Sequence, residues 1–296
     1  MAKRIILGIA VILLVGLAFA FAVPSSRYWI LALVHNEPLH GGRSVSSWVT
    51  ALQSSDANVR KEAALALEDV SQELKGRPPD DAETKAAIAG LVGAMADPDP
   101  FVRKCVAKAF LSFPRDTVVP DDAASVSRML TALEDKNEVL VRKAGARALW
   151  QAGAAAKQGA GVPALTAATY DKDDFVREYA ARALGRIGPE AVSAVPELLD
   201  LLRKDEERDV REHAAKSLGL IGAQALGPRL ADVKQALMAG LVDEAADVRE
   251  NSARSLGQLG ATEAIPEIQR LADDEKEPER VRAAAAEAVK RLKAGK

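Results

Sequence analysis

Seven arginines, each preceded by a valine, recur along the 296-residue chain and are its most regular chemical feature. Successive arginines are 43, 39, 35, 34, 38 and 33 residues apart. They are Arg60, Arg103, Arg142, Arg177, Arg211, Arg249 and Arg282. A guanidinium binds phosphates and carboxylates through parallel hydrogen bonds, so this row could bind a polyanion or pair with carboxylates of the chain itself. Because the arginines belong to the buried stripe described next, internal pairing is favoured.

Each arginine belongs to a stripe of residues with helical spacing. When the arginine is numbered position 0, positions +3 and +4 are mostly alanine and position +7 is a large apolar residue. The +7 residues are Leu67, Phe110, Leu149, Leu184, Leu218, Leu256 and Val289. Positions 0, +3, +4 and +7 share one side of an α-helix. Each copy therefore predicts an amphipathic helix that buries small residues and one large apolar anchor.

The ends of these helices are marked by typical boundary residues. Asp56, Asp99 and Asp173 stand four residues before the arginine, where a carboxylate accepts hydrogen bonds from the first N–H groups of a helix. Glycine ends helices because it adopts a left-handed conformation freely, and four copies have glycine at position +11. These glycines are Gly153, Gly188, Gly222 and Gly260. Apolar stretches at 191–202 and 232–241 predict a preceding helix, so the unit is helix, turn, helix.

The composition agrees with thin layers of closely packed helices. Aromatic residues make up 4% of the chain, which is low for a thick globular core. The chain has 40 Lys and Arg residues against 42 Asp and Glu residues, a net charge of -2. This balance lacks the basic excess typical of nucleic-acid-binding proteins, so we expect no nucleic-acid partner.

The segments DPDPFVRKCVAKAF, from Asp97, and DKDDFVREYAARALGRIG, from Asp171, resemble the HEAT repeat, in particular short bacterial repeats related to bilin lyases. The resemblance implies an all-α, right-handed α-solenoid (ARM/HEAT-like superhelix) of about seven two-helix repeats. In that family an aspartate six residues before the arginine pairs with arginines of the same or the adjacent repeat. The implied ladder is Asp97, Arg103, Asp171, Arg177, Asp205, Arg211, Asp243 and Arg249. Ser54 and Lys276 replace the aspartate in the first and last copies, where the ladder is expected to be interrupted.

The N-terminal segment predicts a membrane anchor. The 19 residues of Ile5–Val23 carry no charge, enough at about 1.5 Å per residue to cross a hydrocarbon core of roughly 30 Å. Lys3 and Arg4 favour a cytoplasmic N-terminus, which places the rest of the chain outside the cytoplasm. Because Ala20–Ala22 fits a cleavage site, secretion after signal cleavage is the alternative. The predicted domains are a transmembrane helix at 1–24, a juxtamembrane linker at 25–43 and a repeat array at 44–296.

Residues for catalysis or metal binding do not occur in useful combinations. Cys105 has no second thiol and no nearby histidine for a zinc site. None of His35, His40 and His213 is followed by glutamate, the pair that di-iron hydroxylases with HEAT-like repeats use. Phosphate-binding glycine loops and serine elbows are also missing. We therefore expect that the protein is not an enzyme and binds no cofactor or metal. The resemblance leaves a bilin-lyase-like enzyme or enzyme subunit as the alternative.

The predicted function is a membrane-tethered scaffold that binds a protein on a concave surface. Positions +2, +5 and +9 lie opposite the arginine and are predicted to line that surface. Position +5 is a cation in five consecutive copies: Lys108, Arg147, Arg182, Lys216 and Arg254. Lys104 and Lys143 stand four residues before Lys108 and Arg147, which predicts uncompensated positive charge there. We therefore expect an acidic protein or peptide to bind through Lys108, Arg147, Tyr179, Arg182, Arg186, His213 and Lys216.

Overall fold

The structure, a computed structural model, describes residues 42–78 and 81–295. Its helices follow one another in pairs, which confirms the predicted helix–turn–helix repeat. They form two compact units with a boundary after Thr117.

The described part of the first unit contains two helix pairs. The helices are α1 (Val45–Ala51), α2 (Ala57–Glu73), α3 (Ala82–Ala94) and α4 (Pro100–Ser112). The second helix of each pair carries the Val-Arg motif, and α2 packs side by side with α4. Trp48 of α1, Leu67 of α2 and Phe110 of α4 are buried, so the apolar core lies between the helices.

The second unit contains five helix pairs in the part that the structure describes. Its helices are α5 (Ala123–Leu133), α6 (Val139–Ala152), α7 (Gly161–Ala168), α8 (Asp174–Ile187), α9 (Val195–Lys204), α10 (Arg208–Ile221), α11 (Ala223–Leu226), α12 (Leu230–Gly240), α13 (Ala246–Gln258), α14 (Ile265–Asp273) and α15 (Glu279–Ala294). The second helices α6, α8, α10, α13 and α15 pack side by side in chain order and form one layer. The first helices α5, α7, α9, α12 and α14 each pack on the second helix of their own pair.

The helix ends follow the boundary residues of the sequence. The Asp56 carboxylate accepts a 2.8 Å hydrogen bond from the Asn58 N–H, and Asp99 caps α4 in the same way. Asp173 caps α8 through the N–H of Val176. The four predicted glycines have φ between 61° and 85°, a conformation that other residues rarely adopt. The predicted caps are confirmed.

The predicted apolar anchors are confirmed as well. Leu184, Leu218 and Leu256 have no exposed surface, and the alanines at +3 and +4 beside them are buried in α8 and α10. In α8, α10 and α13, positions +6 and +8 are also buried, and Ser217 of α10 packs on Gly185 of α8. Glycine at +8 and serine at +6 let neighbouring second helices approach closely. A second helix therefore has neighbours on both flanks as well as beneath it.

The predicted membrane anchor, Ile5–Val23, lies outside the residues that the structure describes. Residues 25–41 of the predicted linker also lie outside the described residues, and its last two residues, 42 and 43, lie within them. Within 42–78 and 81–295, no helix combines the length and the apolar character that crossing a membrane requires.

Candidate functional site

In five of the seven copies, the repeated arginine binds a carboxylate of the following helix pair among the described residues. In each case Nε donates to a carboxylate oxygen that belongs to the turn before the next second helix. The shortest N–O distances are 2.6 Å for Arg60–Asp97, 2.6 Å for Arg142–Asp171, 2.8 Å for Arg177–Asp205, 2.9 Å for Arg211–Asp243 and 2.6 Å for Arg249–Glu277. We call these contacts the arginine ladder. Each ladder arginine thus joins one pair to the next.

The remaining donors of the same arginines hold the turn of their own pair. Arg177 Nη1 donates to the Asp171 carbonyl at 3.0 Å. Arg103, a predicted ladder residue outside the five contacts above, likewise donates through Nη1 to the Asp97 carbonyl at 2.9 Å. Burial raises the pKa of Asp171, but hydrogen bonds from Arg142 and from the Asp173 N–H outweigh it and leave that pKa below its ordinary value. With their donors used inside the array, the ladder arginines do not form a track for an external polyanion.

The sequence missed three participants in the ladder: Arg60, Arg142 and Glu277. Arg60 and Arg142 have the same Val-Arg motif as the predicted ladder arginines. Glu277 stands five residues before Arg282, beside Lys276 at the expected position. Its side chain is one methylene longer than aspartate, which restores the reach to Arg249.

The predicted cation row at position +5 is only partly on the surface. Lys108 and Lys216 are exposed and Arg182 is partly exposed, whereas Arg147 is 3% exposed. The expectation that Arg147 lines an open surface is wrong. Exposure at position +5 therefore differs from pair to pair, and Arg147 belongs to α6, which packs against both α5 and α8. Arg147 instead donates through Nε to the Gln151 side chain at 3.4 Å.

The predicted excess of positive charge in the second and third pairs is also wrong. Lys108 Nζ lies 3.0 Å from Glu68, and Lys143 Nζ lies 2.9 Å from Asp173. Both carboxylates belong to neighbouring pairs, which a comparison of residues four apart within one helix cannot detect.

Tyr179 lies in an aromatic cluster rather than on the surface. It has no exposed area, stacks on Phe175 with ring centroids 4.3 Å apart, and meets the edge of Trp150 at 5.3 Å. The expectation that Tyr179 contacts a partner directly is therefore wrong. Its rigid ring instead helps to hold Trp150 in place.

Trp150 supports two arginines of α8. The Arg182 guanidinium carbon lies 4.0 Å from the Trp150 ring centroid, and that of Arg186 lies 4.2 Å from it. Arg186 Nη1 also donates to the Trp150 carbonyl at 3.0 Å. We call Trp150, Arg182 and Arg186 the arginine–tryptophan site. The sequence missed Trp150, although it stands at +8, where later pairs have Gly185, Gly219 and Gly257.

The two arginines of this site differ in their charge partners. Arg182 pairs with Glu178 at 2.9 Å. Arg186 is exposed, and no carboxylate of the described residues lies within 4.0 Å of it. Burial and the nearby positive charge of Arg182 lower the pKa of Arg186, but an arginine remains protonated in proteins. Arg186 is therefore a charged group with donors available to a ligand.

His213 is tied to the same acidic side chain. Its Nε2 lies 3.3 Å from Glu178, so Glu178 links Arg182 of α8 to His213 of α10. Burial opposes the ionised form of Glu178, but His213 and Arg182 together outweigh it and lower its pKa. Glu178 thus fixes the position of Arg182 beside Trp150. Lys216, one helical turn beyond His213, is exposed on the same face.

Within the ranges 42–78 and 81–295, no three His, Cys, Asp or Glu side chains cluster in a way that could hold a metal ion. A surface cavity of about 310 Å³ lies between α13 and α15, lined by Gly257, three alanines, Arg254, Gln258, Glu287 and Arg291. The described arrangement offers charge and aromatic surface for binding.

Comparisons with known proteins agree with the fold. Residues 162–235 and 234–294 match the sequence profile described as HEAT repeats. Two engineered proteins solved by a structural genomics consortium are similar in structure, and a search of curated proteins gives no match. The first is 24% identical with a TM-score of 0.65 and covers 86% of this chain and 69% of its own. The second is 23% identical with a TM-score of 0.51 and covers 85% and 97%.

A designed armadillo repeat protein also matches, with 18% identity, a TM-score of 0.47, and coverage of 84% of this chain and all 100% of its own. Residues 162–294 thus carry the sequence profile of HEAT repeats, and the likeness to the first two engineered proteins supports a helical fold of the solenoid type.

Proposed function

We propose that this protein is an interaction scaffold that binds an acidic segment of another protein on the second helices of its second unit. The observation that carries the proposal is the arginine–tryptophan site, in which Arg186 lies over Trp150 without a carboxylate of its own among the described residues. Repeat proteins of this kind bind protein partners along their stacked helices.

The chemistry of the site suits a carboxylate. A guanidinium presents two parallel N–H groups to the two oxygens of a carboxylate, and the indole beneath it restricts its motion. Trp150 is itself held by Tyr179 and by its own carbonyl contact with Arg186. A carboxylate that binds Arg186 thus meets a group whose side-chain entropy is already reduced. Trp and Arg are also frequent among residues that dominate interface energetics.

Exposed cations beside the site extend the surface. Lys216 is exposed on α10, one helical turn beyond His213, which contacts Glu178. Lys108 belongs to the first unit, where it pairs with Glu68 at 3.0 Å, and it is not part of the proposed site. Arg147 and Tyr179 support the site from inside the layer.

The scaffold is proposed to be tethered to a membrane. The support is the uncharged Ile5–Val23 segment with Lys3 and Arg4 before it. With the N-terminus in the cytoplasm, the helix pairs and their partner lie on the other side of the membrane. Cleavage after Ala22 is the alternative and gives a secreted scaffold. No observation favours the bilin-lyase-like enzyme, and with a net charge of -2 we propose no nucleic-acid partner.

The test is binding of a fluorescent peptide of eight glutamates to the full chain and to Arg186→Glu. We expect the reversal to weaken binding at least about tenfold, since a charge-assisted contact becomes a repulsion. Arg254→Glu is the matched control: Arg254 is exposed on α13 and pairs with Glu250 at 2.7 Å, so it has a carboxylate already. We expect a change of less than about threefold for Arg254→Glu. Equal binding by the parent and Arg186→Glu would refute the proposed site.

A further inference from the structure

Arg282 is the arginine of α15, the last second helix of the described chain, and it differs from the ladder arginines before it. In five earlier pairs Nε of the arginine donates to a carboxylate of the following pair. The Nε atom of Arg282 is buried and has no hydrogen-bond partner. No carboxylate of the described residues lies within 4.0 Å of this side chain. A buried N–H without an acceptor costs free energy, which a carboxylate would recover.

A second observation shows that the flank of α15 beside Arg282 is open. The alanines at +4 of the preceding second helices, Ala181, Ala215 and Ala253, have no exposed area because the next helix covers them. The equivalent Ala286 of α15 is exposed, and so is Lys290 one turn further on. Arg282, Ala286 and Lys290 form what we call the α15 flank. It combines one small residue with two cations.

The contacts inside the array define what fits this flank. Where α10 covers α8, it supplies a carboxylate from the turn before it, Asp205, and a hydroxyl, Ser217, that donates to the Ala181 carbonyl at 2.8 Å. An occupant of the α15 flank needs the same two features. They are an acidic turn that leads into a helix and a small residue twelve positions after the acid, as Ser217 follows Asp205.

We propose that the α15 flank binds an acidic turn and the helix that follows it from a different polypeptide, with a carboxylate on Arg282. A second copy of this chain does not offer that carboxylate through its first pair. The residue six positions before Arg60 is Ser54, whose hydroxyl accepts the Asp56 N–H at 3.2 Å. Asp56 already caps α2. This partner site is separate from the arginine–tryptophan site and does not depend on it.

The test uses a synthetic peptide with the sequence of residues 205–222, DEERDVREHAAKSLGLIG, which contains both features. Its binding to the full chain is measured by fluorescence anisotropy. We expect saturable binding below about 1 mM. Arg282→Gln in the protein and Asp205→Asn in the peptide should each weaken binding about tenfold. The two changes together should weaken it no further than either one alone. Arg291→Gln, an exposed arginine of the same helix, is the control and should leave the affinity unchanged.

Three results would overturn the proposal. They are no binding by the parent at about 1 mM, equal binding by Arg282→Gln and the parent, and an equal loss in Arg291→Gln, which indicates unspecific attraction. Sedimentation velocity of the chain alone tests whether a second copy of this chain occupies the α15 flank. Self-association that disappears in Arg282→Gln would identify a second copy and contradict the assignment to a different polypeptide.

Discussion

The Ser217 hydroxyl donates to the Ala181 carbonyl at 2.8 Å across the space that Gly185 leaves between α8 and α10. A Cβ at position 185 would lie 2.8 Å from Ser217 Cβ and 3.0 Å from its Cα, closer than side chains tolerate. We expect Gly185→Ala to force the helices apart and to lower the free energy of unfolding by about 1–3 kcal/mol. Urea denaturation followed by circular dichroism measures this loss.

Gly93→Ala is the control for that substitution. Gly93 is an exposed residue of α3, and a Cβ there meets no atom within 4 Å. Alanine has the higher helix propensity, so this variant should gain about 0.5–1 kcal/mol. Equal effects of the two substitutions would show that α8 and α10 do not depend on close approach at Gly185.

Leu184 is the apolar anchor of α8 and has no exposed area. Leu184→Ala should cost about 2–5 kcal/mol because it removes buried methyl groups and leaves a cavity. Leu220→Ala on α10 is the control, since Leu220 is 42% exposed and should cost much less. A melting curve of Leu184→Ala that matches that of the parent would contradict the role of position +7.

The ladder should make stability depend on pH. The folded-state pKa of Asp171 is lowered, so the ionised form adds stability above its ordinary pKa of about 3.9, and this contribution is lost as pH falls through the folded-state pKa. Asp171→Asn should lose about 1–3 kcal/mol at pH 7, with the difference from the parent shrinking below about pH 4. Unfolding midpoints in urea between pH 3 and 8 test both the size and the sign.

Asp200→Asn is the control for the ladder because Asp200 also pairs, with Lys204 at 2.8 Å, but both side chains are well exposed. Its effect should stay below about 1 kcal/mol at every pH. If both variants followed the same pH curve, the ladder pair would contribute no more than a surface pair.

The proposed topology is tested with a reporter that is active only in the cytoplasm, fused after Lys296. We expect no activity from this fusion because the helix pairs lie beyond the membrane. Activity would refute the orientation. A soluble mature chain that begins near Val23, identified by N-terminal sequencing, would refute the anchor and favour secretion.

The sequence was sufficient for the features that repeat within one helix. The caps Asp56, Asp99 and Asp173 and the anchor Leu184 depend only on local spacing, and the structure has them where the pattern predicts them. Such features are set by hydrogen bonds and burial over a few residues. They are therefore visible in a single copy and reinforced by the repetition.

The face of the second helices was harder to predict because it depends on neighbouring helices. In an isolated helix, Arg147 and Tyr179 would lie at the edge of the polar face. Packing of the helices into a layer buries both side chains. Lys108 and Lys143 have partners in adjacent pairs, at separations in sequence that no periodicity marks. Trp150 was not predicted as a site residue. It stands at position +8, where later pairs have glycine between two helices, and its contacts with the arginines become evident only from the helix packing.

Glu277 has a consequence for how such a chain tolerates change in its turns. Asp243 stands six residues before Arg249, whereas Glu277 stands five residues before Arg282, yet each reaches the arginine of the preceding pair at 2.9 Å and 2.6 Å. One methylene group compensates for a shift of the acid by one residue along a turn of the same length. The carboxylate of a ladder pair can therefore move one position toward its second helix when glutamate takes the place of aspartate, so the turns can change in sequence while the helices keep their spacing.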